Sequence, residues 1–159
     1  MKKFELTSET KINIFGKKLF RIKALVSFGV VKTGETGGWV EKEENVNQSG
    51  DAWVFDNAEV FDNARVFGNA WVFGNAWVSG NAEVSDNADY ATIHGFGTQF
   101  RTTTFFRCKD KQVKVSCGCF YGTIPEFCEQ VKNTRKGKIA EEYLMIADLM
   151  EKHFAEEAK

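Results

Sequence analysis

Proline occurs once in the 159 residues, at Pro125, so almost no segment is barred from strand or helix by a missing backbone N–H. Imidazoles are nearly as scarce, His94 and His153 being the only two. Neither has an Asp or Glu placed beside it as an evident dyad, which leaves little material for general acid–base chemistry. A Ser nucleophile elbow and a phosphate-binding Gly-Lys loop are both missing. No apolar run approaches the ~20 residues that a membrane span needs. The opening MKKFELTSET has no apolar core of a signal peptide. These absences predict a cytoplasmic protein without membrane contact, in which the four cysteines are thiols or ligands and not disulfides.

Charge shows no excess of either sign, with a net of -1, until it is divided along the chain. Residues 1–50 carry nine Lys/Arg against six Asp/Glu, residues 51–92 one against seven, and residues 93–159 eleven against nine. The middle is an acidic waist whose surface repels nucleic-acid phosphates, so nucleic acid is not an expected partner.

That waist is also a repeat. Taken in sixes, residues 51–92 give DAWVFD, NAEVFD, NARVFG, NAWVFG, NAWVSG, NAEVSD and NADYAT. Seven hexads without an insertion predict a short left-handed parallel β-helix. Ala and the residue two further on, usually Val, share the inward side of each pleat. Residues at the Gly-Asn and Asp-Asn corners tolerate positive φ, and the Asn side chains are expected to ladder from tier to tier. In this architecture residues eighteen apart stack, and the outward positions become assignable to walls. One wall collects Trp53, Phe55, Trp71 and Phe73; the next carries Phe61 and Trp77 beside Glu59 and Ser79. Four large aromatics side by side exceed what a soluble monomer normally leaves exposed in one patch. The cover is the chain's own termini, a second copy, or a partner.

The flanks read as end pieces. Residues 1–50 hold a predicted hairpin, strands 11–15 and 18–26 around Gly16-Lys17, and a first irregular coil; their expected task is to cap the open end of the hexads. The hexad unit is expected to run over 51–97. Residues 98–159 predict a second hairpin, 98–108 and 112–121, with Val113, Val115, Cys117, Cys119 and Tyr121 on one face. A capping box of Thr123 and Glu126 with Pro125 in the first turn then starts a helix that Gly137 ends. A final helix follows over about 138–154, with a stripe of Ile139, Tyr143, Ile146, Ala147, Met150 and Phe154.

The four cysteines, Cys108, Cys117, Cys119 and Cys128, are spaced C-x8-C-x-C-x8-C. Zinc pairs are ordinarily separated by two to four residues, so burial as small hydrophobes is the first reading and a zinc site the weaker one. No cofactor is expected.

Two stretches outside the hexads carry a resemblance. VSFGVVKTGETGGWVEKEENVNQSGDAWVFDNAEV is similar to the lead-in of a family of hexapeptide-repeat proteins found in enterobacteria, prophages and gut bacteria. VSCGCFYGTIPEF, with the later Glu142-Tyr143-Leu144, resembles the distal segment of short phage-type members. The resemblance spans about residues 21–154 and implies the β-helix fold, a phage or mobile-element origin and a bacterial host cytoplasm. Members are often labelled putative transferases on their repeats alone, and no catalytic residue carries over. The waist also resembles hexapeptide-repeat acyltransferases, which use a His beside an acyl-CoA groove at a trimer interface; that likeness would make His94 the base.

The expected function is accordingly a non-catalytic binding module. It associates with itself as a dimer or trimer, or with a host protein such as a defence component, through Trp53, Phe55, Trp71, Phe73, Trp77 and Phe61. The alternative is an acyltransferase-like enzyme or nucleotide binder using a groove between protomers. A stiff spacer ranks third, because two regular coils span too little.

Overall fold

A computed structural model describes residues 2–155. The chain opens with an antiparallel hairpin, β1 (Phe4–Ile12) and β2 (Lys18–Ala24), and continues into β3 (Thr36–Val40). The hairpin turn is held by Asn13, whose Oδ1 accepts from the backbone N–H groups of Phe15 and Lys17. Strand β1 begins seven residues before the alternation of residues 11–15 predicts, because the polar FELTSETK stretch pairs along β2 through a bulge between Leu6 and Thr10.

Each of the next six hexads gives one two-residue strand: β4 (Trp53–Val54), β5 (Glu59–Val60), β6 (Arg65–Val66), β7 (Trp71–Val72), β8 (Trp77–Val78) and β9 (Glu83–Val84). Parallel pairs form between β4 and β7, β5 and β8, and β6 and β9. The Ala and Val positions point inward without exception, from Ala52 and Val54 to Ala82 and Val84, all at 0–1% exposure. Positive φ at the corners falls on Asp56, Asp62, Gly68, Gly74 and Gly80, the residue before each Asn. The side chains that link one tier to the next include two aspartates in place of a continuous Asn ladder, although Asn87 accepts from the N–H of Trp71. Asp56 accepts from the N–H of Gly74, and Asp62 from that of Gly80.

The expected left-handed β-helix with an end-capping hairpin is not what these strands build. The molecule is mainly β with two helices, but its strands divide into several small sheets. One is a mixed five-stranded sheet in the order β1-β2-β3-β5-β8, and two are isolated parallel pairs, β4-β7 and β6-β9. The reason is local: each hexad commits only two residues to pairing, so no continuous wall develops. The hairpin extends one of the hexad rows as a sheet, and its Phe4, Ile22 and Ala24 pack into the hexad core. Trp39 and Val40 pair with Glu59 and Val60 in parallel, which is how β3 connects the two.

After a 3-10 turn at Asn87–Asp89, four antiparallel strands follow: β10 (Tyr90–Phe96), β11 (Arg101–Arg107), β12 (Val113–Cys117) and β13 (Phe120–Thr123). Two differences from the sequence reading arise here. The seventh hexad leaves the repeat: its first half is the 3-10 turn, where Ala88 is exposed instead of inward, and its second half starts β10. The predicted strand 112–121 is broken into a hairpin at Gly118, whose φ is +59°. Helices α1 (Ile124–Thr134) and α2 (Gly137–Phe154) are the last elements of the described residues, with Thr123 and Glu126 forming the capping box.

Strand β11 separates two cores. Phe106 belongs with the hexad Ala and Val side chains. Phe105 packs with Phe127, Tyr143 and the α2 stripe on the other side. Alternation along one strand thus sends neighbouring rings into opposite cores. The helices therefore cover the distal sheet, not the hexad walls.

Candidate functional site

The aromatic wall is covered in part, and by the N-terminal segment. Trp53 is 1% exposed. Its ring is met edge-on by Phe4 at 5.8 Å and Phe28 at 5.2 Å between centroids. Phe61 is buried as well, in a cluster with Leu19 and Trp39 against which Trp77 packs, and the hairpin turn lays Phe15 over it at 5.7 Å. Trp53 and Phe61 are core residues, and neither offers a surface. Spacing within the hexads placed them on outer walls; the cover comes from residues 4–28, where no repeat signals it.

What stays open is the far end of that wall. Phe73 is 51% exposed. Phe55 and Trp71 are half-buried. The rings run in series, Trp71 to Phe55 at 5.9 Å, Phe55 to Phe73 at 6.4 Å, and Phe73 to Tyr90 at 6.4 Å, each close to perpendicular. Tyr90, which the repeat pattern reads only as a replacement for Val, fixes the strip from beneath: its hydroxyl donates to the carbonyl oxygen of Trp71. Burial pushes the Tyr90 phenol up to about 12, so it stays a neutral donor at ordinary pH. Trp71, Phe73, Asn87 and Tyr90 border a depression of about 310 Å³.

Trp77 and His94 meet elsewhere, in a cleft of about 650 Å³ between the two hairpins. Its floor is the hexad row of Glu59 and Trp77, which are register partners in β5 and β8. Lys11 and Ile14 of the N-terminal hairpin form one bank, and His94, Arg101 and Thr102 of the β10-β11 hairpin the other. Glu59 is bound by Lys11 at 2.9 Å and accepts from the Asn13 amide at 3.2 Å. His94 Nδ1 lies 2.8 Å from the hydroxyl of Thr102. Its hydrogen-bond partner is thus a hydroxyl, and among the described residues no carboxylate bonds to the ring to orient it as a general base.

The cysteines are not brought together. Cys108 lies in the hexad core, where burial pushes its thiol up to about 12. Cys117 and Cys128 are half-buried against the helix core, Cys119 is exposed on the β12-β13 turn, and Cys117 accepts from the Thr103 hydroxyl. Among the described residues no three His, Cys, Asp or Glu side chains group closely enough to hold a metal ion. No described helix is long and apolar enough to cross a membrane. No protein-family model matches the chain, and no curated protein matches it.

Proposed function

We propose that this protein is a non-catalytic binding module that engages another protein surface through the strip of Phe55, Trp71 and Phe73, held from beneath by the buried Tyr90. The observation that carries the reading is the 51% exposure of Phe73 within a continuous series of rings from Trp71 through Phe55 to Tyr90, while Trp53 on the same row is covered by the chain itself. Rigid rings held edge to face on a sheet supply contact area with little ordering entropy, the property that makes Trp and Tyr frequent binding anchors. The partner is a second copy of the chain or, following the likeness to phage-type proteins, a bacterial host protein whose action it blocks. Sedimentation of the purified chain, together with capture from bacterial lysate, tests this. The double variant Trp71→Ala with Phe73→Ala loses the assembly or the captured protein while its circular dichroism is unchanged. A wild type that stays monomeric and captures nothing that the double variant fails to capture removes the proposal.

A further inference from the structure

The cleft between the hairpins is a second site, remote in composition from the aromatic strip. Its volume of about 650 Å³ lies inside the ~300–1,000 Å³ typical of small-ligand pockets. Three features define what it would take. The first is Arg101, a cleft residue whose guanidinium has no carboxylate partner among the ion pairs of the described residues. It lies against the bare backbone of Gly118, where an added Cβ would come 1.5 Å from Nη1. Only glycine at 118 leaves the guanidinium that position. An unpaired guanidinium is a fork for two oxygens of an anion.

The second feature is the floor. Trp77 is half-buried, with Phe15 edge-on to its ring at 5.9 Å, so it is a fixed platform on which a ring can stack. Asn57 and Asn75, which occupy equivalent places in successive tiers, border the same cleft and supply amide donors and acceptors beside the platform. The third is the distribution of donors on the Arg101 bank. Gln99 and the His94–Thr102 pair stand with Arg101, an arrangement suited to a group with three acceptor oxygens better than to the two of a carboxylate. Lys11 is already engaged with Glu59, so the free positive charge lies on one side.

We propose that this cleft binds a small ring compound carrying a phosphate monoester, the phosphate at Arg101 and the ring on Trp77. A nucleotide and a sugar phosphate share that chemistry. A nucleic-acid strand does not fit the same terms, because the hexads that form the floor carry seven acidic residues against one basic and repel a polyphosphate backbone.

Calorimetric titration of the full chain tests the assignment with nucleoside monophosphates, hexose phosphates, the same compounds without phosphate, and inorganic phosphate. At least one phosphorylated ring compound binds, its unphosphorylated form binds at least tenfold more weakly, and Arg101→Gln weakens the phosphorylated one at least tenfold. The exposed-side variant Asn75→Ala weakens it less, and the nucleotide and sugar arms identify the source. No binding by any compound at millimolar concentration overturns the proposal, as does binding that Arg101→Gln leaves unchanged, or inorganic phosphate binding as tightly as every ring compound. The Trp71→Ala, Phe73→Ala double variant keeps the ligand, so failure here and failure of the protein-binding reading are separately visible.

Discussion

The ammonium of Lys3 stands 2.7 Å from the carbonyl oxygen of Ala52. It donates to the carbonyl of Gly50 as well, at 3.2 Å, and lies 4.5 Å above the ring of Phe28. One side chain thereby occupies backbone acceptors where the hexads begin. Burial nevertheless outweighs these bonds and brings the Lys3 amine down to about 8 from its ordinary 10.5, with Asp51 opposing the shift.

A pH dependence follows from that shift. A lysine whose folded pKa is depressed penalises the folded state fully below the folded value, where both states hold the proton. Between about 8 and 10.5 the unfolded chain binds more protons, so stability rises with pH. The whole shift corresponds to about 3 kcal/mol. Cys108, Tyr90 and Tyr121 act in the opposite sense, since burial raises each to about 12. Their contribution is present below their unfolded values and is lost as pH rises above roughly 9 to 10. Urea unfolding at pH steps from 7 to 11 is expected to show stability rising past pH 8 and then falling. In Lys3→Met the rise disappears and the fall remains; a profile identical to wild type contradicts the account.

The Gly-Gly pair before Trp39 has a steric cause. A Cβ on Gly38 would lie 2.6 Å from Val54 Cγ1 and 2.7 Å from the carbonyl oxygen of Ala58, both in the packed first tier. Gly74 differs: its φ is +71° but nothing lies within 4 Å of an added Cβ. Gly74→Ala therefore costs only the left-handed backbone penalty of about 1–2 kcal/mol. Gly38→Ala must displace backbone, at about 1–3 kcal/mol or more, and is expected to lower the melting temperature further than Gly74→Ala. Equal effects in calorimetry would remove close packing as the reason for this glycine.

Asn45 closes the irregular turn that precedes the hexads. Fully buried, it accepts through Oδ1 from the N–H groups of Glu41 and Lys42 and donates through Nδ2 to the carbonyls of Asp62 and Ala64. The Glu41 N–H keeps a second acceptor in the Val60 carbonyl, but Asn45→Ala removes the partner of the Lys42 N–H and of the buried Ala64 carbonyl, a loss of about 1–3 kcal/mol for a buried group. Asn45→Asp keeps the acceptor but turns the donor to Ala64 into a second acceptor, so it is expected to unfold at a urea midpoint no higher than that of the alanine variant. A midpoint for either variant within error of wild type would show that water satisfies these groups.

The first six hexads disclosed in the sequence which residues point inward, because Ala and Val recur two apart and every one of them from Ala52 to Val84 is buried, whereas Ala88 of the seventh is exposed. They did not disclose how the strands group into sheets. Which row the hairpin joins is decided by Trp39 pairing with Glu59, at a spacing of twenty that the period of six does not contain. The outward aromatics were visible as a set, yet Trp53 and Phe61 lie under Phe28 and Phe15, residues in stretches without periodicity. Arg101 carries no sequence signal for a related reason: its distinction is the glycine beside it at 118, a contact across a strand turn and not a motif. The helices were legible because a capping box and a stripe are local signals, and Tyr143, Ile146, Ala147, Met150 and Phe154 are indeed buried.

The last prediction concerns β11, the strand whose consecutive phenylalanines serve different cores. Phe105 packs at 6.2 Å from Phe127, on the helix side, while Phe106 faces the hexad interior and stands 6.3 Å from Tyr121. Both are 0% exposed, so truncation of either to Ala is expected to cost about 3–5 kcal/mol. The two losses should be felt in different places if the cores open separately before the chain unfolds. Phe105→Ala then speeds amide exchange in α1 and α2, whereas Phe106→Ala speeds it at Val72, Val78 and Val84. Because β11 is hydrogen-bonded into the distal sheet on both sides, neither variant should release the strand itself. Exchange that rises equally in both regions for both variants would mean that the two cores unfold as one cooperative unit.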